Sequence, residues 1–213
     1  MADSRADLLL VTVTTVETKA VLQAFRDATG QEAVITPISR KTYYDLGVVN
    51  GTRVMLVRSE PGTAGLGAGM QTVQKGVEAL SPAAVIMVGI AFGVDEEEQA
   101  IGDVLVSKQL VPYESQRVGQ KDGELHVIPR GPRVECSPWL LDRCRSAELS
   151  FDRAKVRVGL VLSGEKLVDN LAFRDELVAM EPEAVGGEME GAGLYVACQD
   201  AKVDWILIKA ICD

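Results

Sequence analysis

The chain has 213 residues, of which 47% are hydrophobic and 25% are charged, and these proportions are typical of one globular domain with a substantial core. Its net charge is −9 and no basic patch interrupts the acidic balance, so a nucleic-acid partner is not expected. No apolar run approaches the roughly 18 residues that cross a membrane, and the polar N-terminus carries no signal sequence, so a membrane partner is not expected either.

Strand patterns alternate with helical patterns along the whole chain. The predicted strands cover residues 8–13, 43–49, 53–58, 84–89, 102–110, 156–162 and 203–212. The predicted helices lie between Thr15 and Gly30 and at 70–80, 138–149, 170–180 and 188–201. This alternation predicts a single α/β domain, in which helices flank a central mixed and largely parallel sheet.

Three local signals support the first elements. Thr15 is the predicted cap of the first helix, and Gly30 is its predicted end. Asn50-Gly51 favours the tight turn of an antiparallel hairpin. The glycine-rich stretch 61–69 leads into the second helix, where it either holds an anion with the help of Arg58 or allows close helix packing.

The last strand carries the strongest indication of function. Residues 205–212 are interpreted as apolar on both faces, which predicts a buried parallel strand. Ligands of open α/β sheets bind outside the carboxyl ends of such strands, and Asp213 stands at that place. Asp213 is therefore either a working carboxylate or the cap of a turn.

The cysteines and the single histidine do not indicate a metal site. The four cysteines lack metal-type spacing, and Cys198 and Cys212 lie in apolar contexts typical of buried thiols. A reducing, cytoplasmic location is therefore predicted. His126 lies in a polar region and is predicted to be a surface residue. We expect neither a metal nor an organic cofactor.

Several short segments, taken together, resemble the nucleoside phosphorylase/nucleosidase superfamily. They are VGIAFG at 88–93, IGDVLVS at 101–107, SG at 163–164, GEMEG at 187–191 and ICD at 211–213. Within the superfamily, the chain resembles the methylthioadenosine/S-adenosylhomocysteine nucleosidase branch, from about residue 8 to residue 213. The resemblance implies a nucleoside phosphorylase-like domain over residues 1–213, truncated at its C-terminus, that assembles as a homo-oligomer.

The resemblance also implies hydrolysis of the N-glycosidic bond of an adenine nucleoside, a reaction that needs an acid for the purine and a base toward water. Asp213 is the candidate acid, and Glu17 is the candidate residue for orienting or deprotonating water. Glu190 would bind the ribose hydroxyls and Met189 would lie against the sugar. Glu188 either binds a ribose hydroxyl or supports Glu190.

Each of these acids also has a purely structural interpretation. Glu17 is equally explained as a first-turn glutamate that the helix dipole favours, and the family's water-handling residue could align one or two positions away. Glu188 and Glu190 are explained as the solvated start of a helix. The glycines that flank them favour a ligand that approaches the backbone closely.

The base pocket is expected from two segments of the chain. The first holds Ile90, Ala91 and Phe92, and Phe92 either faces the base or packs in the core. The second holds Leu167, where the nucleosidase branch often has a stacking phenylalanine, and Val168, whose backbone would bind the base. The expected partner is therefore a small-molecule nucleoside or nucleotide.

Three alternatives remain open at this point. One is a purine nucleoside phosphorylase, although Met87 replaces an arginine that such enzymes carry before the Val-Gly pair. Another is an AMP- or ATP-type nucleosidase that serves as the effector domain of a larger defence or signalling protein. The third is a non-catalytic module that senses a nucleoside.

Overall fold

The computed structural model describes residues 5–121, 123–166, 168 and 170–213. Twelve strands lie in the described part: β1 Leu8–Thr12, β2 Val34–Ile38, β3 Lys41–Val49, β4 Thr52–Arg58, β5 Ala84–Ala91, β6 Val104–Pro112, β7 Gln116–Lys121, β8 Glu124–Pro129, β9 Val134–Glu135, β10 Val156–Ser163, β11 Ala184–Glu188 and β12 Asp204–Ile211. The helices are α1 Thr15–Thr29, α2 Gly69–Leu80, α3 Pro138–Glu148, α4 Leu171–Met180 and α5 Gly191–Ala201.

Ten of these strands form one large mixed sheet in the order β11-β10-β6-β12-β5-β1-β4-β3-β2, with β9 paired to β6, while β7 and β8 pair with each other in a separate two-stranded sheet. Pairing is parallel from β12 through β5 and β1 to β4, and also from β6 through β10 to β11. It is antiparallel at the β2–β3–β4 hairpins and between β6 and β12. The prediction of a single α/β domain with a largely parallel mixed sheet is confirmed.

Helices cover both faces of the sheet because neighbouring residues of the central strands are both apolar. Leu9 packs in the core cluster that contains residues of α2 and α5, whereas Leu10 packs with Val21 of α1. A strand that is buried on both faces cannot show an alternating pattern. Continuous apolar runs in the sequence therefore indicated the central strands correctly.

An antiparallel bridge between Phe92 and Gly187 joins the end of β5 to the end of β11. The Phe92 N–H donates to the Gly187 carbonyl at 3.0 Å, and the Gly187 N–H donates to the Phe92 carbonyl at 3.1 Å. Phe92 directly follows β5, and Gly187 lies near the end of β11. The ends of these two strands therefore meet beside Asp213, whose carbonyl accepts from the Gly93 N–H at 2.8 Å.

Several local predictions need correction. Thr14, and not Thr15, caps α1. Its side chain accepts a hydrogen bond from the Glu17 N–H, and the Thr14 N–H donates in turn to the Glu17 carboxylate. Residues 184–188 form a buried strand, so the helix predicted from residue 188 begins at Gly191. The prediction also missed the short or polar strands β2, β7, β8 and β9. Within the described residues, no helix is long and apolar enough to cross a bilayer.

Candidate active site

A cavity of about 320 Å³ opens where the strand ends and the glycine-rich loop meet. Glu17, Glu190 and Asp213, which are far apart in the sequence, all line this cavity. Its other lining residues are Val13, Thr14, Pro61, Ile90, Ala91, Phe92, Lys166, Val168, Gly187, Glu188, Met189 and Cys212. The fold thus gathers the predicted site residues that it describes around a single space.

Glu17 is held at the first turn of α1 by backbone amides. Its Oε2 accepts from the Val13 N–H at 2.8 Å and from the Thr14 N–H at 2.6 Å, while its Oε1 accepts from the Ile90 N–H at 3.0 Å. A β-carbon at Gly89 would lie only 2.6 Å from Oε1, so a glycine is needed for this close approach. The carboxylate is therefore fixed in position between β1 and β5.

Glu188 and Glu190 are both buried beside the start of α5. Glu188 accepts from the backbone N–H groups of Glu190 and Gly191, each at 2.9 Å. Glu190 accepts from the Gly62 N–H at 3.2 Å, and this bond ties the glycine-rich loop to the cavity. Because both glutamates are buried, the interpretation that they form the solvated start of a helix is wrong.

Lys209 of β12 is the site residue that the sequence interpretation missed. Its Nζ lies 3.1 Å from Glu190 Oε2 and 3.3 Å from Glu188 Oε2, and its side chain is only 1% exposed. The sequence did carry a signal for it, since Lys209 is the one charge in the otherwise apolar run 205–212. A lysine is buried in this way only when it is paired.

The buried charges perturb one another. Burial raises the pKa of the Glu190 carboxyl, and the nearby Glu188 carboxylate adds to this effect, while Lys209 opposes both. Burial alone would lower the pKa of the Lys209 ammonium, yet the three carboxylates of Glu188, Glu190 and Glu17 together raise it. Lys209 therefore stays charged and holds the carboxylates together.

Asp213 lines this cavity together with Phe92 and Val168, and the same three residues also border a second, adjoining hollow. The Cys212 thiol donates to Asp213 Oδ1 at 2.7 Å. Burial raises the pKa of the Cys212 thiol to about 12, and the hydrogen bond to Asp213 adds to that rise. Cys198 is buried as predicted, but Cys212 is exposed, contrary to the prediction, because the strand ends one residue earlier.

Four of the five residues predicted for the base pocket line this cavity. Ile90, Ala91, Phe92 and Val168 all line the cavity, whereas Leu167 lies outside the described residues. Phe92 combines the two roles considered for it, since it belongs to an apolar core cluster and also borders the cavity. A β-carbon on Gly187 would overlap the Phe92 ring, so a glycine is needed for the outer edge of the ring to approach the backbone this closely.

Protein carboxylates already bind the amides at the start of the glycine-rich loop. The Gly62 N–H donates to Glu190, and the Thr63 N–H donates to Glu165 at 3.0 Å. The Gly69 N–H closes the loop on the Gly62 carbonyl at 3.0 Å. These contacts favour the interpretation of the loop as a close connection rather than as an anion cradle.

Residues 8–213 match the family model described as the Phosphorylase superfamily. The chain belongs to this superfamily. The match spans every element from β1 to β12. The resemblance predicted from the short segments of the sequence is therefore confirmed.

This chain is similar to several curated nucleosidases. It is 30% identical to a death domain-containing ATP nucleosidase of Amphimedon queenslandica, over 96% of this chain and 42% of that protein. It is 26% identical to a 5′-methylthioadenosine/S-adenosylhomocysteine nucleosidase of Staphylococcus epidermidis, over 79% of this chain and 72% of that protein. The chain thus spans less than half the length of the sponge protein.

Solved structures share the fold at lower identity. The 5′-methylthioadenosine/S-adenosylhomocysteine nucleosidase of Neisseria meningitidis aligns with a TM-score of 0.78 at 21% identity, over 97% of this chain and 86% of the other. The futalosine hydrolase of Helicobacter pylori aligns with a TM-score of 0.77 at 22% identity, over 98% of this chain and 88% of the other. These likenesses support the nucleoside phosphorylase-like fold.

Proposed function

We propose that this protein is a purine nucleosidase, which hydrolyses the N-glycosidic bond of an adenine nucleoside or nucleotide. The observation that carries the proposal is the convergence of Glu17, Glu190 and Asp213 on one cavity. Hydrolysis of this bond needs an acid on the purine side and a carboxylate near the attacking water, with the sugar bound between them. These three carboxyl groups line the cavity, and we assign these roles to them.

The proposed roles follow from the surroundings of each carboxyl group. Asp213 borders the apolar surface of Phe92 and Val168, where a purine fits, and would donate the proton to the leaving base. Glu17 has a fixed orientation and would hold the water. Glu190, supported by Glu188 and Lys209, would accept hydrogen bonds from the ribose hydroxyls, and Met189 would contact the sugar.

Beside Glu190, where the sugar would bind, the surroundings favour water over phosphate as the nucleophile. Phosphate needs cations or several free backbone amides. Met87 is fully buried in the main core, so this position supplies no charge to the cavity. Lys209, the fully buried cation of the site, is already paired with two carboxylates.

The similarity to nucleosidases leaves two substrate groups for the proposal. The Staphylococcus relative acts, by its name, on methylthioadenosine and S-adenosylhomocysteine, and the sponge relative acts on ATP. Both are adenine compounds that differ at the 5′ carbon of the ribose. The second group would fit the effector domain of a larger defence or signalling protein.

A direct assay of purine release tests the proposal. The protein is incubated with methylthioadenosine, adenosine, AMP and ATP in separate reactions, each with and without inorganic phosphate. We expect free adenine from at least one substrate at a rate that phosphate does not change. Formation of ribose 1-phosphate would indicate a phosphorylase, and tight binding without adenine release would indicate a sensing module.

Two substitutions test the roles of the acids. We predict that Asp213→Asn lowers kcat by at least about a hundredfold and leaves substrate binding within a few-fold, because the proton donor is lost while the shape remains. Glu17→Gln should lower kcat to a similar extent because the carboxylate toward water is lost. Near-normal turnover in Glu17→Gln would show that another residue handles the water.

We also propose that the protein works as a homo-oligomer. Several large apolar side chains near the cavity are exposed to solvent, including Val16 at 77%, Ile90 at 45% and Leu171 at 62%. Exposed apolar groups of this kind are typical of an interaction surface. Light scattering of the purified protein would measure its mass, and a monomer at micromolar concentration would contradict this proposal.

The state of the cysteines supports a reducing, cytoplasmic location as a further part of the proposal. All four cysteines are free thiols, and Cys136 and Cys198 are buried. Buried free thiols persist where the environment is reducing. Fractionation of cells that express the protein would test the location, and recovery outside the cytoplasm would contradict it.

A further inference from the structure

A group of positive side chains begins at Arg58, which lies next to the start of α1, where Thr14 and Glu17 line the cavity. Arg58, the last residue of β4, donates from Nη1 to the Thr15 hydroxyl at 2.8 Å. Thr15 follows Thr14, and Arg58 is three residues before Pro61, so the guanidinium stands beside the cavity mouth.

Two lysines extend this group away from the cavity. Lys41 is half-buried at the start of β3, and its Nζ donates to the Thr72 hydroxyl at 3.0 Å. Lys75 lies one helical turn after Thr72 on α2. Burial lowers the pKa of Lys41, and the positive charges of Lys75 and Arg58 lower it further, while Glu60 opposes them. Tyr43 of β3 pairs with Val57 of β4, so Lys41 and Arg58 lie at the same end of these two strands, and the bond to Thr72 brings Lys41 to α2, which carries Lys75.

These three cations are poorly compensated by the protein itself. None of them forms an ion pair in the part of the chain that the structure describes, and the exposed carboxylate of Glu60 offsets the charge of Lys41 only in part. The chain as a whole carries a net charge of −9, so a positive cluster runs against its general composition. Like charges held together at the mouth of a cavity favour an anionic ligand.

We propose that Arg58, Lys41 and Lys75 bind the phosphate chain of a nucleoside 5′-polyphosphate, which makes a nucleotide the preferred substrate. This inference rests on the proposed function, because the direction of the substrate follows from it. The Gly62 N–H donates to Glu190 at 3.2 Å, so with the purine at Asp213 and the ribose at Glu190 the 5′ carbon would lie toward Pro61 and Thr14. Phosphates attached there reach Arg58 first and the two lysines after it.

The number of cations favours a di- or triphosphate over a monophosphate. Arg58 alone can pair with the first phosphate, and its fork of donors suits phosphate oxygens. Lys41 and Lys75 lie on other elements, β3 and α2, and a second and third phosphate would bring negative charge to them. A nucleoside without phosphates would leave the cluster uncompensated.

The test compares kcat/KM for adenosine, AMP, ADP and ATP in the unmodified protein and in Arg58→Gln, Lys41→Gln and Lys75→Gln. Arg26→Gln is the matched control, since Arg26 is an exposed arginine at the far end of α1 that pairs with Glu32. We expect ATP to exceed adenosine about tenfold or more in the unmodified protein, on the scale of one charge-assisted contact. Arg58→Gln should remove most of that preference and leave adenosine within about twofold. The control should change neither.

Two results would overturn the inference, and only the first of them leaves the nucleosidase proposal intact. One is equal kcat/KM for adenosine and ATP, unchanged in the three variants. The other is stimulation of adenosine cleavage by inorganic phosphate with formation of ribose 1-phosphate, since the cluster would then hold the attacking phosphate and not the phosphates of a nucleotide.

If no substrate releases adenine, the proposed function fails and calorimetry decides the inference separately. ATP binding at least about tenfold tighter than adenosine binding, and lost in Arg58→Gln but not in Arg26→Gln, would support the cluster as a polyphosphate site. Equal binding of ATP and adenosine would overturn it.

Discussion

Lys209 shows how one residue determines the electrostatics of the site. It is fully buried and lies within 3.3 Å of the carboxylates of both Glu188 and Glu190. A buried ion pair contributes little net stability, but the removal of one partner leaves uncompensated charge in a low-dielectric environment. The arrangement therefore depends on the lysine much more than an exposed ion pair would.

We predict that Lys209→Met destabilises the protein by about 3–5 kcal/mol at pH 7. Lys209 opposes the rise that burial causes in the pKa of Glu190, so without the ammonium this folded-state pKa rises further and the folded state binds a proton more readily than the unfolded state. The deficit should therefore shrink as the pH falls toward 5. Urea unfolding at the two pH values measures this effect, with Lys108→Met, at an exposed position on β6, as the control. An equal loss of unfolding free energy at both pH values would contradict the role of Lys209 as the charge partner of the buried glutamates.

The elements that the sequence predicted well are those whose burial follows from an apolar run or a turn signal. The Asn50-Gly51 hairpin is an example, and both of these residues have positive φ angles, of 49° and 82°. The strand at 184–188 was missed because its sequence, AVGGE, combines glycines with a glutamate that becomes acceptable only through the contacts of Glu188 with Lys209 and the start of α5. Such long-range compensation cannot be deduced from local pattern.

The same reasoning applies to the candidate site. The positions of Glu17 and Asp213 followed from the strand and helix boundaries, and the family resemblance pointed to Glu190. Lys209 was overlooked because its strand was interpreted as uniformly apolar. Its three carboxylate neighbours come from α1 and from the segment around β11, and only the folded chain brings them together.

At the level of elements, α2 packs closely on β1 through Gly76. A β-carbon at this glycine would overlap the Leu9 side chain. We predict that Gly76→Ala destabilises the protein by roughly 1–3 kcal/mol, because overpacking outweighs the better helix propensity of alanine. Thermal unfolding measures the change.

Gly65→Ala is the control, since its added carbon meets only ordinary van der Waals contact, with Ala68 at 3.7 Å. The double variant Gly76→Ala with Leu9→Val should be less destabilised than the sum of the two single variants, because the shorter side chain relieves the overlap. Strict additivity would show that the two residues do not compete for space.

At the scale of the whole molecule, the ends of β5 and β11 meet at the Phe92–Gly187 bridge, and both bridge residues line the cavity. Purine, sugar and 5′ substituent would then lie along one line, from Asp213 past Glu190 to Thr14 and Pro61. The proposed reaction and the proposed preference for nucleotides both depend on this one orientation of the substrate.

A crystal structure with a bound adenosine analogue, in which carbon replaces the glycosidic nitrogen, tests the orientation most directly. We predict that the base lies against Phe92 and Val168 within hydrogen-bonding distance of Asp213, that the ribose hydroxyls contact Glu190, and that C1′ faces Glu17. A ligand bound elsewhere, or bound with its base at the Thr14 end, would contradict the account.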